Sequence, residues 1–101
     1  MKGLECVPAL RALSEETRLR ILRALSKEPH DVSQIADRLG VSSYNASKHL
    51  RVLRDVGLVQ VERAGKRRLY SLSPSVEGQL ASNKNILDLG CCTFRFDQLP
   101  Q

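Results

Sequence analysis

The sequence contains no long hydrophobic run. No stretch approaches the roughly 20 consecutive apolar residues of a membrane span, and no charged and then apolar leader opens it. Its three cysteines are an odd number, which argues against a structural disulfide framework and favours free thiols. No motif arranges a nucleophile, a base and an orienting group, so we expect no enzyme. Because 101 residues are few for a core to divide, we expect one domain. Without a span or a leader, we expect that domain to be soluble and cytoplasmic, with no membrane partner.

The excess positive charge of the sequence is confined to one stretch. The net charge is +5, from 16 lysines and arginines against 11 acidic residues. Residues 42–71 contain seven basic and two acidic side chains, and the remainder contains equal numbers of each sign. A surface that faces phosphates has this concentration of charge, although an ordinary solvated face is the simpler alternative.

Two neighbouring segments predict a pair of short helices. Asp31 and Gln34 resemble a capping box, an amphipathic pattern follows them, and Gly40 closes the first helix. Ser42 can cap a second helix, which ends before Gly57. Two short capped helices joined by a glycine-containing turn are typical of a helix-turn-helix.

The flanking segments predict three more short helices and a hairpin. A first helix over residues 8–13 leads to a second that Ser14 would cap, and Ser73 would cap the last one. Residues 58–62 and 67–72 alternate on either side of a turn, as in a β-hairpin. The predicted fold class is therefore mostly α with a β-hairpin wing, a winged helix-turn-helix.

The second helix of the pair has one apolar and one polar face. The apolar residues, expected to face the core, are Ala46, Leu50 and Leu53. The opposite face, at helical spacing, consists of Tyr44, Ser47, Lys48 and Arg51. Their polar groups can hydrogen-bond base edges or phosphates, and an aromatic ring can lie against a thymine methyl group. An amphipathic helix with an ordinary polar outside is the alternative, but the capped partner helix and the basic hairpin favour DNA binding.

The predicted DNA-binding residues come from this helix and from the hairpin. Ser43 and Asn45, near the helix start, are expected to hold backbone phosphates. The four cations of the hairpin are expected to reach the neighbouring minor groove or its phosphates. The full set is Ser42, Ser43, Tyr44, Asn45, Ser47, Lys48, Arg51, Arg63, Lys66, Arg67 and Arg68.

Three runs of the sequence resemble the ArsR/SmtB family of metal-responsive repressors. They are ALSEETRLRIL at residues 12–22, SKHLRVLRDVGLV at residues 47–59 and GKRRLY at residues 65–70. The resemblance extends over residues 9–74, about two thirds of the chain. It implies a homodimeric winged-helix repressor that binds double-stranded DNA at an inverted-repeat operator, needs no cofactor to do so, and is released by an inducer.

The usual sensor sites of that family are missing here. Residues 30–32 lack the Cys-Val-Cys pattern of arsenic-sensing members, and residues 73–85 lack the histidines and aspartates of the zinc site. The available thiols are Cys6, Cys91 and Cys92, and three soft thiolates suit arsenite or antimonite as the inducer. In the family's fold the first and last segments meet at the dimer interface, so we expect Cys6 near the pair, within or across subunits. Packing as small hydrophobes is the alternative for all three cysteines.

The two histidines suit a metal less well. His49 lies near the core edge of the predicted recognition helix, where we expect packing or a phosphate contact. His30 lies beside a helix cap and is expected to face solvent.

The C-terminal segment has a different pattern from the rest. Residues 87–89 and 94–96 alternate on either side of the cysteine pair, as in two strands or an extended tail. We divide the chain into a winged helix-turn-helix domain, residues 1–85, and a tail, residues 86–101, packed on the dimer interface. A homodimer is expected because the core is small. The apolar residues left over in the terminal segments are Leu4, Val7, Leu10, Leu87, Leu89, Phe94 and Phe96.

Three functions from different classes stay open. The first and principal hypothesis is a repressor that responds to a thiophilic metalloid. The second is a repressor that responds to thiol oxidation or persulfides, which requires one of the paired cysteines to bond with a distant thiol. The third is a protein-interaction module that has kept the fold and lost DNA binding.

Overall fold

In the computed structural model, which describes residues 5–101, the chain folds into five α-helices and two antiparallel hairpins. The helices are α1 (Cys6–Leu13), α2 (Glu16–Leu25), α3 (Val32–Leu39), α4 (Ser43–Asp55) and α5 (Pro74–Ser82). The strands are β1 (Val59–Ala64), β2 (Arg67–Leu72), β3 (Ile86–Asp88) and β4 (Thr93–Arg95), and a short 3-10 helix spans Phe96–Gln98. The predicted fold class is confirmed, and β1 with β2 forms the wing. None of these helices is both long and apolar enough to cross a bilayer.

Local capping interactions define the helix-turn-helix pair, α3 and α4. Asp31 Oδ1 accepts the backbone N–H of Gln34 at 2.8 Å, and Gln34 Oε1 accepts that of Asp31 at 2.9 Å, so the predicted capping box is present. Gly40 ends α3 with φ 72°, a left-handed conformation that glycine adopts without strain. Ser42 Oγ accepts the backbone N–H of Asn45 at 3.1 Å and begins α4.

The cap predicted for α2 is wrong. Glu15, not Ser14, precedes the helix, and its carboxylate accepts the backbone N–H groups of Thr17 at 2.8 Å and Arg18 at 3.2 Å. Two carboxylate oxygens satisfy two amides at once, and their charge suits the positive end of the helix dipole better than a hydroxyl does. Ser73 precedes α5 as predicted, but its hydroxyl donates to a carbonyl of the α4–β1 loop instead of capping.

The core lies between α2, α3, α4 and the base of the wing, and the tail adds to it. The largest fully buried side chains are Ile21, Leu22, Ile35, Leu50, Leu53, Leu58, Leu72, Val76 and Leu87. Leu89 and Phe96 of the tail are buried as well. Leu87, Leu89 and Phe96 therefore pack within their own chain, so the expectation that they are left over for a partner subunit is wrong. Leu4 lies outside the described residues.

The tail, predicted as two strands or an extended segment, forms a pair of strands and packs against α2. Strands β3 and β4 pair with Leu87 opposite Phe94. Arg23 of α2 donates from Nη1 to the carbonyls of Phe96 at 3.0 Å and Leu99 at 3.1 Å, and Arg20 Nε donates to the carbonyl of residue 101 at 3.0 Å. These charged donors hold the tail on the outer face of α2. Packing of the tail on a dimer interface stays a prediction.

His30 is buried, so the expectation that it faces solvent is wrong. Only 4% of the residue is exposed. Its backbone N–H donates to the carbonyl of Tyr70 at 3.0 Å, and the N–H of Tyr70 donates back at 2.8 Å, which joins the segment before α3 to strand β2. Neither ring nitrogen has a hydrogen-bond partner among residues 5–101. The long-range pairing with β2 turns the side chain inward, which local sequence does not reveal.

Candidate nucleic-acid interface

Helix α4 presents its predicted polar face to solvent. Its three inward residues are fully buried: Ala46, Leu50 and Leu53. Tyr44 is 72% exposed, and its ring centroid lies 5.5 Å from Lys48 Nζ, a cation–π distance. Ser47 and Arg51 are exposed on the same side. The outward face therefore offers an aromatic ring, a hydroxyl and two cations, which is a donor set suited to base edges and phosphates.

The first turn of α4 adds polar groups at the positive end of the helix dipole. Ser42 Oγ accepts a backbone N–H in its capping bond, and its hydroxyl proton can still be donated to a phosphate oxygen. Ser43 and Asn45 are exposed beside it. A helix start of this kind attracts anions through its free amides and its dipole.

His49 of α4 contacts the start of α2. Its Nδ1 lies 3.2 Å from Arg18 Nη1 and 3.4 Å from Glu15 Oε2. Burial raises the pKa of Glu15, but the N–H groups of Thr17 and Arg18 and the charge interaction with His49 lower it by more, so the carboxylate is ionised. His49 thus packs at the core edge, one of the two roles expected of it. Glu15 therefore contacts α4 through His49, which its sequence position does not indicate.

The wing carries four cations around its turn, and three of them have no ion pair within residues 5–101. Those three are Arg63, Lys66 and Arg68, all exposed. The strand register sets Arg63 directly opposite Arg68, and Lys66 lies in the turn after Gly65. Like charges directly opposite each other on a hairpin destabilise it, so this end of the wing favours a bound anion.

Arg67 differs from the other wing cations because it is bound to α3. Its Nε donates to Asp31 Oδ2 at 3.1 Å, and its Nη2 lies 3.0 Å from the same oxygen and 2.9 Å from Gln34 Oε1. The backbone N–H of Gln34 lowers the pKa of Asp31, against an opposing effect of burial, and the Arg67 guanidinium lowers it further. The structure therefore brings Arg67 to the capping box of the helix-turn-helix.

The three cysteines converge where the start of α1 meets the tail. Cys6 and Cys91 are joined in a disulfide, so the expectation of free thiols is wrong for these two. Cys92 is free and half-buried, and its Sγ lies 3.8 Å from Cys91 Sγ. A disulfide has no thiolate to offer a metal, and elsewhere in the described chain no group of three histidine, cysteine or acidic side chains is arranged to hold one. The predicted metalloid site therefore requires the reduced form.

Comparison with known proteins places this arrangement among transcriptional regulators. A family model described as a helix-turn-helix domain matches residues 13–62. The HTH-type transcriptional regulator YbzH of Bacillus subtilis is 34% identical in an alignment that covers 77% of this chain and 93% of YbzH. The homodimeric winged helix-turn-helix domain of Mb0332 from Mycobacterium bovis, a possible ArsR-family regulator, superimposes with a TM-score of 0.64 at 28% identity, over 81% of this chain and 84% of that one. The chain belongs to the ArsR/SmtB family.

Two other relatives match over a smaller share of their own length. NmtR of Mycobacterium tuberculosis is 41% identical over 71 residues, which span 70% of this chain and only 59% of NmtR. A probable mercury resistance operon repressor of Streptomyces lividans is 30% identical in an alignment that covers 82% of this chain and 71% of that protein.

The fold of this ArsR/SmtB member brings some of the predicted site residues together and separates others. The residues predicted on α4 share its exposed face, and the three cysteines lie together. Arg67 is set apart from the other wing cations by its acidic partner. Sequence analysis missed Glu15 and Asp31 as partners of His49 and Arg67. The one available signal was the capping box, which fixes a carboxylate at Asp31 without naming what it binds.

Proposed function

We propose that this protein is a homodimeric transcriptional repressor that binds an inverted-repeat operator in double-stranded DNA. The observation that carries the proposal is the exposed face of α4, where Tyr44, Lys48 and Arg51 lie together on a helix whose other side is fully buried. The net excess of positive charge falls entirely within residues 42–71, which contain this helix and the wing. Family membership supports the same conclusion.

Different groups have different tasks on the DNA. Ser47, Lys48 and Arg51 read base edges in the major groove, where arginine can bind guanine through two hydrogen bonds. Ser42, Ser43 and Asn45 position α4 on the backbone phosphates. The unpaired cations of the wing hold phosphates or the edge of the adjacent minor groove.

A second copy of the chain completes the operator contact. The Mb0332 domain is described as homodimeric, and α1 of this chain leaves Val7 57% and Leu10 37% exposed on one face. Burial of this apolar face by a partner would add stability to a small core. Two-fold symmetry then sets the half-sites about 10 base pairs apart.

The inducer acts through Cys6, Cys91 and Cys92. In the reduced form the three thiolates suit a trivalent metalloid such as arsenite or antimonite, which prefers soft sulfur ligands. Cys91 contacts both of the other cysteines, which supports a shared site. The relative described as a mercury resistance repressor is consistent with a soft, thiophilic inducer.

Thiol oxidation is the second candidate signal, and the Cys6–Cys91 disulfide favours it. Two thiols that form a disulfide release two protons and two electrons, which convert one hydrogen peroxide to two waters. With a persulfide donor, one cysteine thiolate attacks the outer sulfur and the donor leaves as its thiolate. The second cysteine thiolate then attacks the inner sulfur of the resulting cysteine persulfide, which forms the disulfide and releases hydrogen sulfide. Cys92→Ser separates the two candidates, because the disulfide does not include Cys92.

DNA binding is tested with duplexes selected from a randomised pool by the reduced protein. Fluorescence anisotropy on a labelled selected duplex should show an affinity that falls steeply between about 50 and 200 mM salt, because counterions are released from the phosphates. It should exceed the affinity for unselected duplex by about 10³-fold or more. If the protein binds no duplex even at low salt, the interaction-module alternative replaces this proposal.

A further inference from the structure

We propose that Arg67 is a positioning residue, which fixes the wing against the helix-turn-helix pair and does not hold a DNA phosphate. The proposal rests on the DNA-binding function proposed above, and it reassigns one of the four wing cations within that function. The other three, Arg63, Lys66 and Arg68, keep the phosphate role.

The contacts of Arg67 match its guanidinium to two acceptors. Nε and Nη2 both point at Asp31 Oδ2, at 3.1 and 3.0 Å, and Nη2 also donates to Gln34 Oε1 at 2.9 Å. The planar fork of an arginine can satisfy two fixed acceptors at once, which the single ammonium of a lysine cannot do in the same way. An arginine engaged in this manner has fewer donors to offer a phosphate.

The two acceptors are held in place by hydrogen bonds that do not involve Arg67. Asp31 Oδ1 accepts the backbone N–H of Gln34, and Gln34 Oε1 accepts the backbone N–H of Asp31, so each side chain is fixed by the start of α3. Gln34 Oε1 uses one lone pair in this box and the other for Arg67. The side chain of Asp31 is 24% exposed and that of Arg67 is 52% exposed, so Asp31 is the more shielded partner of a surface ion pair.

Arg67 attaches the outer part of the wing to α3, where no backbone hydrogen bond between the described residues joins the two. The pairing of His30 with Tyr70 fastens β2 to the segment before α3 near the base of the wing. Arg67 lies three residues nearer the tip, where β2 begins directly after the turn. Two attachment points along β2 fix its direction relative to α3, and α3 in turn packs against α4. The outer cations of the wing are thereby held at a set position relative to the recognition helix.

The direction in which one substitution changes operator affinity separates a positioning role from a phosphate contact. Asp31→Asn keeps the Oδ1 acceptor for the cap but removes the charge that binds Arg67. If Arg67 positions the wing, Asp31→Asn weakens operator binding by about three- to tenfold, which lies in the lower part of the range of coupling between contacting residues. If Arg67 instead held a phosphate, the same change would free it, remove a negative charge near the DNA, and strengthen binding.

The second measurement is the salt dependence of operator affinity in Arg67→Ala, with Arg68→Ala as the matched control. Loss of a phosphate contact lowers the slope of log affinity against log salt by about 0.9. We expect that decrease for Arg68→Ala and an unchanged slope for Arg67→Ala, whose affinity nevertheless falls. The double variant of Asp31→Asn and Arg67→Ala should be no weaker than either single variant. In the free protein, wing amides should exchange hydrogen faster in both Arg67→Ala and Asp31→Asn, but not in Arg68→Ala.

Tighter binding by Asp31→Asn, or a slope lowered by about 0.9 in Arg67→Ala, would overturn this proposal and leave the DNA-binding function standing. If the wild type binds no duplex, the proposed function fails and the role of Arg67 fails with it.

Discussion

Arg63 and Arg68 face each other directly across the wing, with no acidic side chain paired to either within residues 5–101. Their repulsion costs the free protein stability, and a bound phosphate relieves it. We expect Arg63→Ala or Arg68→Ala to raise the free energy of unfolding by about 0.2 to 1 kcal/mol while weakening DNA binding. Urea denaturation and operator anisotropy measure the two effects. Arg54→Ala on α4 serves as a charge-matched control, and a loss of stability in the wing variants would contradict the argument.

Arg51 is expected to determine sequence preference. It lies on the exposed face of α4, one helical turn after Lys48. Arg51→Ala should weaken operator binding by about 1 to 3 kcal/mol and relax the preference at one base position, if the arginine binds guanine through two hydrogen bonds. Anisotropy on operators altered one base pair at a time measures both quantities. Arg68→Ala is the control, because it should weaken binding to all sequences alike. Unchanged affinity and preference in Arg51→Ala would show that α4 is not the reading helix.

The cysteine variants are expected to identify the inducer. Serine replaces a soft thiolate by a hard hydroxyl with little change in volume. If a metalloid is the inducer, Cys91→Ser and Cys92→Ser should both remain on the operator when arsenite is added to reduced protein. If oxidation is the signal, Cys6→Ser and Cys91→Ser should resist peroxide, and Cys92→Ser should respond as the wild type does.

Reciprocity provides a check on a metalloid inducer, which binds reversibly. An inducer that lowers the affinity for DNA by some factor must itself bind the DNA complex more weakly by the same factor. Arsenite titrations with and without operator measure that factor. Release of all three serine variants at the wild-type arsenite and peroxide concentrations would mean that the cysteines are packing residues.

The stability of the protein should depend on pH through Asp31. The backbone N–H of Gln34 and the Arg67 guanidinium lower the pKa of this carboxyl in the folded protein. Its stabilising contribution is therefore complete above its ordinary pKa of about 4 and is lost as the pH falls through the lowered value. Asp31→Asn should be less stable than wild type at neutral pH, and the difference should disappear in acid. Urea midpoints across this range measure it, with the exposed Asp37→Asn of the same helix as control. A difference independent of pH would contradict the assignment.

The exposed apolar face of α1 is expected to form the contact between two copies. Val7 and Leu10 lie one turn apart on that face. Val7→Glu or Leu10→Glu should give a monomer by light scattering at micromolar concentration, because an unpaired charge would be buried in the interface. Lys27→Glu, which reverses an exposed charge outside α1, should remain a dimer. A monomeric wild type would exclude this contact.

Short-range signals in the sequence were sufficient for the helix-turn-helix. The capping box at Asp31, the left-handed Gly40 and the cap at Ser42 each involve residues within a few positions of one another, so the sequence contains the whole interaction. The same holds for the faces of α4, because helical periodicity alone sets Leu50 inward and Arg51 outward. The fold class and the candidate reading surface were therefore predictable.

Only the tertiary structure decided which distant residues meet. Arg67 reaches Asp31, the buried His30 pairs through its backbone with Tyr70, and Cys6 joins Cys91 across a separation of 85 residues. Each of these contacts depends on where the chain returns after several turns, and no local pattern encodes that path. A basic residue in a basic hairpin has the same sequence signature whether it faces a phosphate or a neighbouring carboxylate. Its partner is set by the packing of β2 on α3, which exists only once the whole domain has folded.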